Sequence, residues 1–189
     1  MKNLFILCVA SLLIFGSCRK KDGPQINDVT LTIPYLDSTY LPPELYLFAP
    51  PGTQFPGGAL FPLPPMSFAT MYQSYLDQYN TDAEDVRSVR LKEFSMWIVR
   101  PDGQKFDFVD SLKIFGAGEN LPDVLIAKKL PVPKGLDSLS LDIPENDLKN
   151  YFLKDSMTVK LSAVINELPD STTRIYLNSV FELTVRTLE

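Results

Sequence analysis

The stretch that decides the fold is Met157-Thr158-Val159-Lys160-Leu161-Ser162-Ala163-Val164-Ile165. After the turn Leu168-Pro169-Asp170-Ser171 it is answered by Ile175-Tyr176-Leu177-Asn178-Ser179-Val180-Phe181-Glu182-Leu183-Thr184-Val185. In the first run Met157, Val159, Leu161, Ala163 and Ile165 alternate with Thr158, Lys160 and Ser162. In the second, Ile175, Leu177, Phe181, Leu183 and Val185 hold every other place. A period of two puts one side of each strand in a core and the other in water, as antiparallel sheets require.

Upstream the same pattern recurs. Val29, Leu31 and Ile33 alternate with Thr30 and Thr32. Val89 and Leu91 share a face, and Phe94, Met96 and Ile98 resume in the opposite phase, which predicts a bulge near Lys92-Glu93. Pro101-Asp102-Gly103 is a turn, with Pro presetting φ and Gly accepting a positive φ. Residues 104–108 are expected to pair back as a hairpin, 112–115 and 124–127 to be strands, and Leu139, Leu141 and Ile143 to alternate once more. Several antiparallel strands at short spacing, with no strand–helix–strand rhythm, predict a mainly β fold, a β-sandwich.

Two segments break the pattern. Residues 34–65 hold nine prolines, with Gly52, Gly57 and Gly58 among them. Proline lacks the N–H that a ladder needs, so this region is expected to be an ordered loop rather than sheet. Its aromatics, Tyr35, Tyr40, Tyr46, Phe48, Phe55 and Phe61, are expected to pack on the main domain. Residues 67–80 then carry Phe68, Met71, Tyr72, Tyr75, Leu76 and Tyr79 at helical spacing. This predicts a helix capped by Ser67, followed by a short turn opened by a Thr81–Glu84 capping box. Residues 144–153 read as a second short helix carrying Leu148, Tyr151 and Phe152. The expected organisation is a leader over 1–17, a tether over 18–25 and one domain over 26–189, with 34–85 as a Pro- and aromatic-rich loop and helix insertion.

The leader has its own logic. Met1-Lys2-Asn3 is followed by an apolar run over residues 4–15, then Gly16-Ser17-Cys18 and the charged Arg19-Lys20-Lys21-Asp22. A dozen apolar residues suit a signal-peptide core and fall short of the roughly 20 that span a bilayer. Small residues before one Cys at the end of such a core resemble the lipobox of bacterial lipoproteins. The resemblance covers residues 1–22 and implies cleavage before Cys18, acylation of its thiol and of the new amine, and a lipid-anchored protein. Three chains would hold a protein that one chain holds only marginally. Arg19 rather than Asp after the Cys implies an outer-membrane destination. The body from Val89 to Val185 resembles small immunoglobulin-like lipoprotein domains of unknown function, on Val99-Arg100-Pro101-Asp102-Gly103, Phe106-Asp107-Phe108 and the twin C-terminal strands. That resemblance implies an immunoglobulin-like sandwich and carries no catalytic residue.

Composition limits the chemistry. The 189 residues carry a net charge of −5, no His and two Cys, at positions 8 and 18. The acidic balance gives no attraction for nucleic acid. Without His there is no imidazole base and no Ser-His-Asp site. With Cys8 in the leader and Cys18 acylated, no disulfide and no Cys/His zinc site is expected. No cofactor and no metal is called for, and no catalytic residue is assigned. Of the acid pairs, Asp107 with Asp110 reads as a solvated turn and Glu145 with Asp147 as the acidic start of a helix. Trp97, the single Trp, reads as core or half-core, with core favoured over an exposed ligand platform.

Three sets of residues stand as candidates. Cys18 is the lipidation site. Tyr72, Tyr75 and Tyr79, one stripe of the expected helix, form a candidate ligand platform, set against the plainer reading of a core-facing stripe. Asp-Ser recurs at Ser38, Ser111, Ser138, Ser156 and Ser171 and resembles the O-glycosylation sequon of exported proteins in a group of gut anaerobes, although Asp and Ser are also simply turn formers. The expected function is a non-enzymatic, outer-membrane-anchored binding, structural or assembly module with a protein or glycan partner. The alternative is a carbohydrate-binding accessory lipoprotein of a glycan-uptake system. A small carboxylate hydrolase is a third class and needs two acids facing each other in a pocket.

Overall fold

The computed structural model describes residues 26–41, 43–47 and 49–188. The leader, Cys18 and the tether lie outside the described residues. The elements run β1 (Ile26–Tyr40), a 3₁₀ turn (Pro43–Leu47), β2 (Gln54–Pro62), β3 (Met66–Ala69), α1 (Tyr72–Gln78), β4 (Val86–Arg100), a second 3₁₀ turn (Phe106–Phe108), β5 (Val109–Gly118), β6 (Leu121–Lys129), β7 (Ser138–Ser140), α2 (Lys149–Phe152), β8 (Ser156–Glu167) and β9 (Arg174–Leu188). The fold is mainly β. One sheet has the order β1-β9-β4-β7 and the other β2-β8-β5-β6, with β3 also on β8. All the pairings are antiparallel.

The alternating strands do as their pattern dictates. Leu31 and Ile33 of β1, Val89, Leu91, Phe94 and Met96 of β4, Leu112 and Ile114 of β5, Met157, Val159, Ala163 and Ile165 of β8, and Ile175, Phe181, Leu183 and Val185 of β9 are buried in one cluster shared by both sheets. Apart from Ala163, each such side chain contributes about 1.5–3 kcal/mol on burial. The expected bulge exists: the β4–β9 register slips between Leu91 and Glu93. The twin C-terminal strands, in contrast, are not partners. β8 lies between β2 and β5 in one sheet and β9 between β1 and β4 in the other. The link between them, with Leu168 and Thr173 buried, crosses from sheet to sheet.

The Pro-rich segment is corrected by the structure. It holds the end of β1 and all of β2, and β3 follows directly after it, each at a sheet edge. β1 continues through Pro34, which sits opposite Val180, and β2 and β3 pair with β8 alone. An edge strand needs only one row of N–H groups, so Pro is tolerated on its open side. Between Gln54 and Ala59 the β2 register slips, and Gly57 and Gly58 take the positive φ values of that irregularity.

The helices are shorter than their patterns. Residues 66–69 are β3 rather than helix, so Ser67 caps nothing and its hydroxyl meets that of Thr158 at 3.0 Å. Thr70 decides this: it is fully buried, its N–H donates to the Asp155 carbonyl at 3.1 Å, and its hydroxyl donates to the Lys154 carbonyl. The chain therefore stays extended to Thr70, and α1 starts after a left-handed Met71. Thr81 makes no capping box; its N–H closes α1 on the Leu76 carbonyl, and residues 83–85 form a plain turn. The expected second helix shrinks to Lys149–Phe152, with Leu148, Tyr151 and Phe152 buried as anticipated. Residues 104–108 do not pair with β4. They end in a 3₁₀ turn, and β7 takes the place beside β4 instead.

Candidate functional site

On β4 the residues Val89 and Leu91 face the core, so odd numbers point inward. Carried on unbroken, that phase would aim Trp97 into the core. The extra residue at Lys92-Glu93 moves the inward phase to Phe94 and Met96, and Trp97 turns to the outer face. This corrects the expectation of a core Trp97. The signal was in the sequence: if Phe94, Met96 and Ile98 face inward, Trp97 cannot.

The neighbouring strands bring up its companions. On β9, Ile175 and Leu177 face inward, so Arg174 and Tyr176 face outward. Tyr176 is the cross-strand partner of Trp97, and their rings stack at 5.7 Å with 11° between planes. The Arg174 guanidinium lies 5.1 Å from the Tyr176 ring centre and 5.4 Å from that of Tyr40. Its Nη2 donates to Ser38 Oγ at 2.9 Å. Trp97, Tyr176, Arg174 and Tyr40 thus stand side by side across three strands. Such a stack contributes about 0.5–1.5 kcal/mol and each exposed cation–π contact about 0.5–1 kcal/mol. Tyr40 is 55% exposed. It was legible as an aromatic but not as part of this face, because Pro34 masks the continuation of β1.

The same end of the molecule carries three further features. Lys134 Nζ bonds the carbonyls of Asp107 (2.9 Å) and Val109 (3.3 Å) and Asp110 Oδ1 (2.8 Å). Asn166 Nδ2 adds bonds to the Asp107 carbonyl (3.0 Å) and Asp110 Oδ1 (2.6 Å). Hydrogen bonding from Lys134, then from Asn166, holds the Asp110 carboxyl below the usual carboxylate range. Asp107 Oδ1 accepts from the Gly135 N–H, so both carboxylates clamp this loop. Beside them Tyr46 donates to the Asp170 carbonyl at 3.1 Å. Burial, with Asp170 nearby, pushes its hydroxyl up to about 12. Between the sheets lies a wholly apolar cavity of about 50 Å³, lined by Leu41, Leu45, Phe61, Met96, Leu139 and Ile175 among others.

The expected platform residues are not alike. Tyr72 and Tyr75 are half-buried and pack against the core, Tyr75 standing edge-on to Tyr35 at 6.5 Å. Tyr35 also meets Phe68, Phe152 and Phe181 at 5.7–6.2 Å and donates to the Thr70 carbonyl. Only Tyr79, just beyond α1, is well exposed, at 53%. Of the serines, Ser138, Ser156 and Ser171 are exposed, and Ser38 and Ser111 are half-buried. Asp147 Oδ1 accepts from the N–H groups of Val89 and Lys149, both at 3.0 Å, tying the start of α2 to β4. Among the described residues no group of three acids or other ligands could hold a metal ion. No helix there is long and apolar enough to cross a membrane.

No family model matches the chain, and no curated protein matches it either.

Proposed function

We propose that this chain is a lipid-anchored cell-envelope protein that works as a non-enzymatic binding module. One observation carries the reading. β1 begins at Ile26, eight residues after Cys18, opposite Leu188, and ends at Tyr40 in the aromatic and arginine row. At about 3.3 Å per residue the row sits about 45 Å from the point where the tether enters. A chain held by lipid on Cys18 would present this row away from the bilayer. Asp107, Asp110 and Asp147 hold loops and a helix start in place, which favours binding over catalysis. The two-sheet core supports a β-sandwich. An immunoglobulin-like arrangement is the finer form of this proposal; it has to allow for β9, which leaves β8 for the first sheet where the usual order keeps the last two strands together.

The row favours the carbohydrate-binding version of this reading, because sugars pack on Trp and Tyr rings. The outer membrane is the destination implied by Arg19. Two measurements test the proposal. Metabolic palmitate should label the wild-type chain and not Cys18→Ser, which should also leave the membrane fraction. Equal labelling of both would refute the anchor. Trp97 is the only Trp, so its emission reports directly on the row; glycan pools that leave it unchanged would refute the binding surface. Glycosylation at exposed Ser138, Ser156 or Ser171 would appear as added hexose mass on the native protein.

A further inference from the structure

The row is short of negative charge. Arg174 and Arg100 are cross-strand partners on β9 and β4, and like charges placed opposite each other repel. Lower on the same sheet the charges are balanced, with Lys92 on Glu182 at 3.1 Å. Among the described residues, no carboxylate lies within ion-pair distance of Arg100 or Arg174, although the chain as a whole carries a charge of −5. Arg174 is also fixed in place. Tyr40 and Tyr176 flank its two sides, Ser38 holds one terminal nitrogen, and Nε is buried without an acceptor. A guanidinium held in this way, next to a second arginine, is organised for an anion before one arrives.

The flanks select the rest of the ligand. Tyr40 is largely exposed. At the other end, the β7 residue opposite Trp97 is the exposed Ser138, too short to cover an indole. Rings on both sides of a cation suit a flat, C–H-rich body carrying an anionic group. The two oxygens of a carboxylate match the planar fork of one guanidinium, and carboxylates repeated along a chain can meet both arginines.

We propose that Arg174 and Arg100, flanked by Trp97, Tyr176 and Tyr40, bind a saccharide that carries a carboxylate, a uronic-acid type of glycan. This deepens the binding-module reading and rests on it. The experiment uses the full-length chain purified from membranes and follows Trp97 emission. The ligands are oligogalacturonate, oligoguluronate and glucuronate-containing disaccharides. Controls are methyl-esterified oligogalacturonate, which keeps the ring and masks the charge, and oligoglutamate, which keeps the charge without the ring. At least one uronate should shift the emission saturably. Esterification or Arg174→Gln should weaken it about tenfold or more, the worth of one charge-assisted pair. Tyr40→Ala should weaken it while the melting temperature falls by no more than about 2–4 °C, the worth of one cation–π contact. Dissociation constants all weaker than about 1 mM would overturn the proposal. Equal binding of the ester would also overturn it and leave a neutral-glycan module standing. Equal binding of oligoglutamate would overturn it in favour of an acidic peptide partner. None of these outcomes touches the palmitate result.

Discussion

The bulge in β4 makes a sharp prediction, because two single-residue deletions a step apart should behave oppositely. In the native strand Leu91 and Phe94 both face inward with Lys92 and Glu93 between them. Deleting Glu93 removes the extra residue and leaves strict alternation, with Leu91, Phe94 and Met96 still inward and Trp97 still outward. Deleting Ser95 leaves the strand two choices. It keeps the bulge and turns Met96 outward, or it uses up the bulge, turns Phe94 outward and faces the Glu93 carboxylate toward the core. Phe94 is 8% and Met96 3% exposed in the native protein. Exposing either costs about 1.5–3 kcal/mol, and misplacing Trp97 or Glu93 adds to it, for about 3 kcal/mol or more in total. That is a large share of the roughly 5–15 kcal/mol that holds a domain. Urea unfolding of the full chain, followed by far-ultraviolet circular dichroism and Trp97 emission, reads both variants on one scale. Loss of Glu93 should cost under about 1.5 kcal/mol, the scale of a small local change. If the two deletions cost the same, or the loss of Ser95 is harmless, the assignment of the bulge as the element that aims Trp97 is wrong.

Three other outcomes are expected. Phe181→Ala, at a site 2% exposed and 4.9 Å from the Phe152 ring, should cost about 3–5 kcal/mol in urea unfolding, whereas Tyr79→Ala should stay within about 0.5 kcal/mol. Gly58→Ala should lower the melting temperature, since φ is +81° and the new Cβ would meet Val164 Cγ1 at 2.6 Å. Asp110 has its folded pKa lowered, chiefly by Lys134, so its contribution is complete above the unfolded value of about 3.9 and fades as pH falls through the folded one. Melting temperature should therefore drop on acidification below about pH 4, with a shallower fall in Asp110→Asn.

Much of the fold was legible because burial in a half-wet strand is a local property. The alternation from Met157 to Ile165 and from Ile175 to Val185 named inward residues that the structure buries or packs on the core. The change of phase after Leu91 named the bulge. Legibility failed where a local rule meets a non-local neighbour. Pro34 ends a strand only if both its sides need partners, and β1 has a partner on one side alone. The stripe from Phe68 to Tyr79 fits a helix, yet Thr70 is bonded to residues 154 and 155, and that tie decides where the helix begins. The row of Trp97, Tyr176, Arg174 and Tyr40 joins residues from three distant parts of the chain, so no window of sequence contains it.

The sequence by itself determined that this is an antiparallel β protein without imidazole chemistry, and which side of most strands faces the core, since a two-residue period is written one strand at a time. Only the tertiary structure decided which strands are neighbours. It sent β8 and β9 to different sheets and set β1 at an edge, because which strands pair depends on how the whole chain closes over a shared core, and that pairing joins residues more than a hundred positions apart, as Ile33 opposite Phe181 shows.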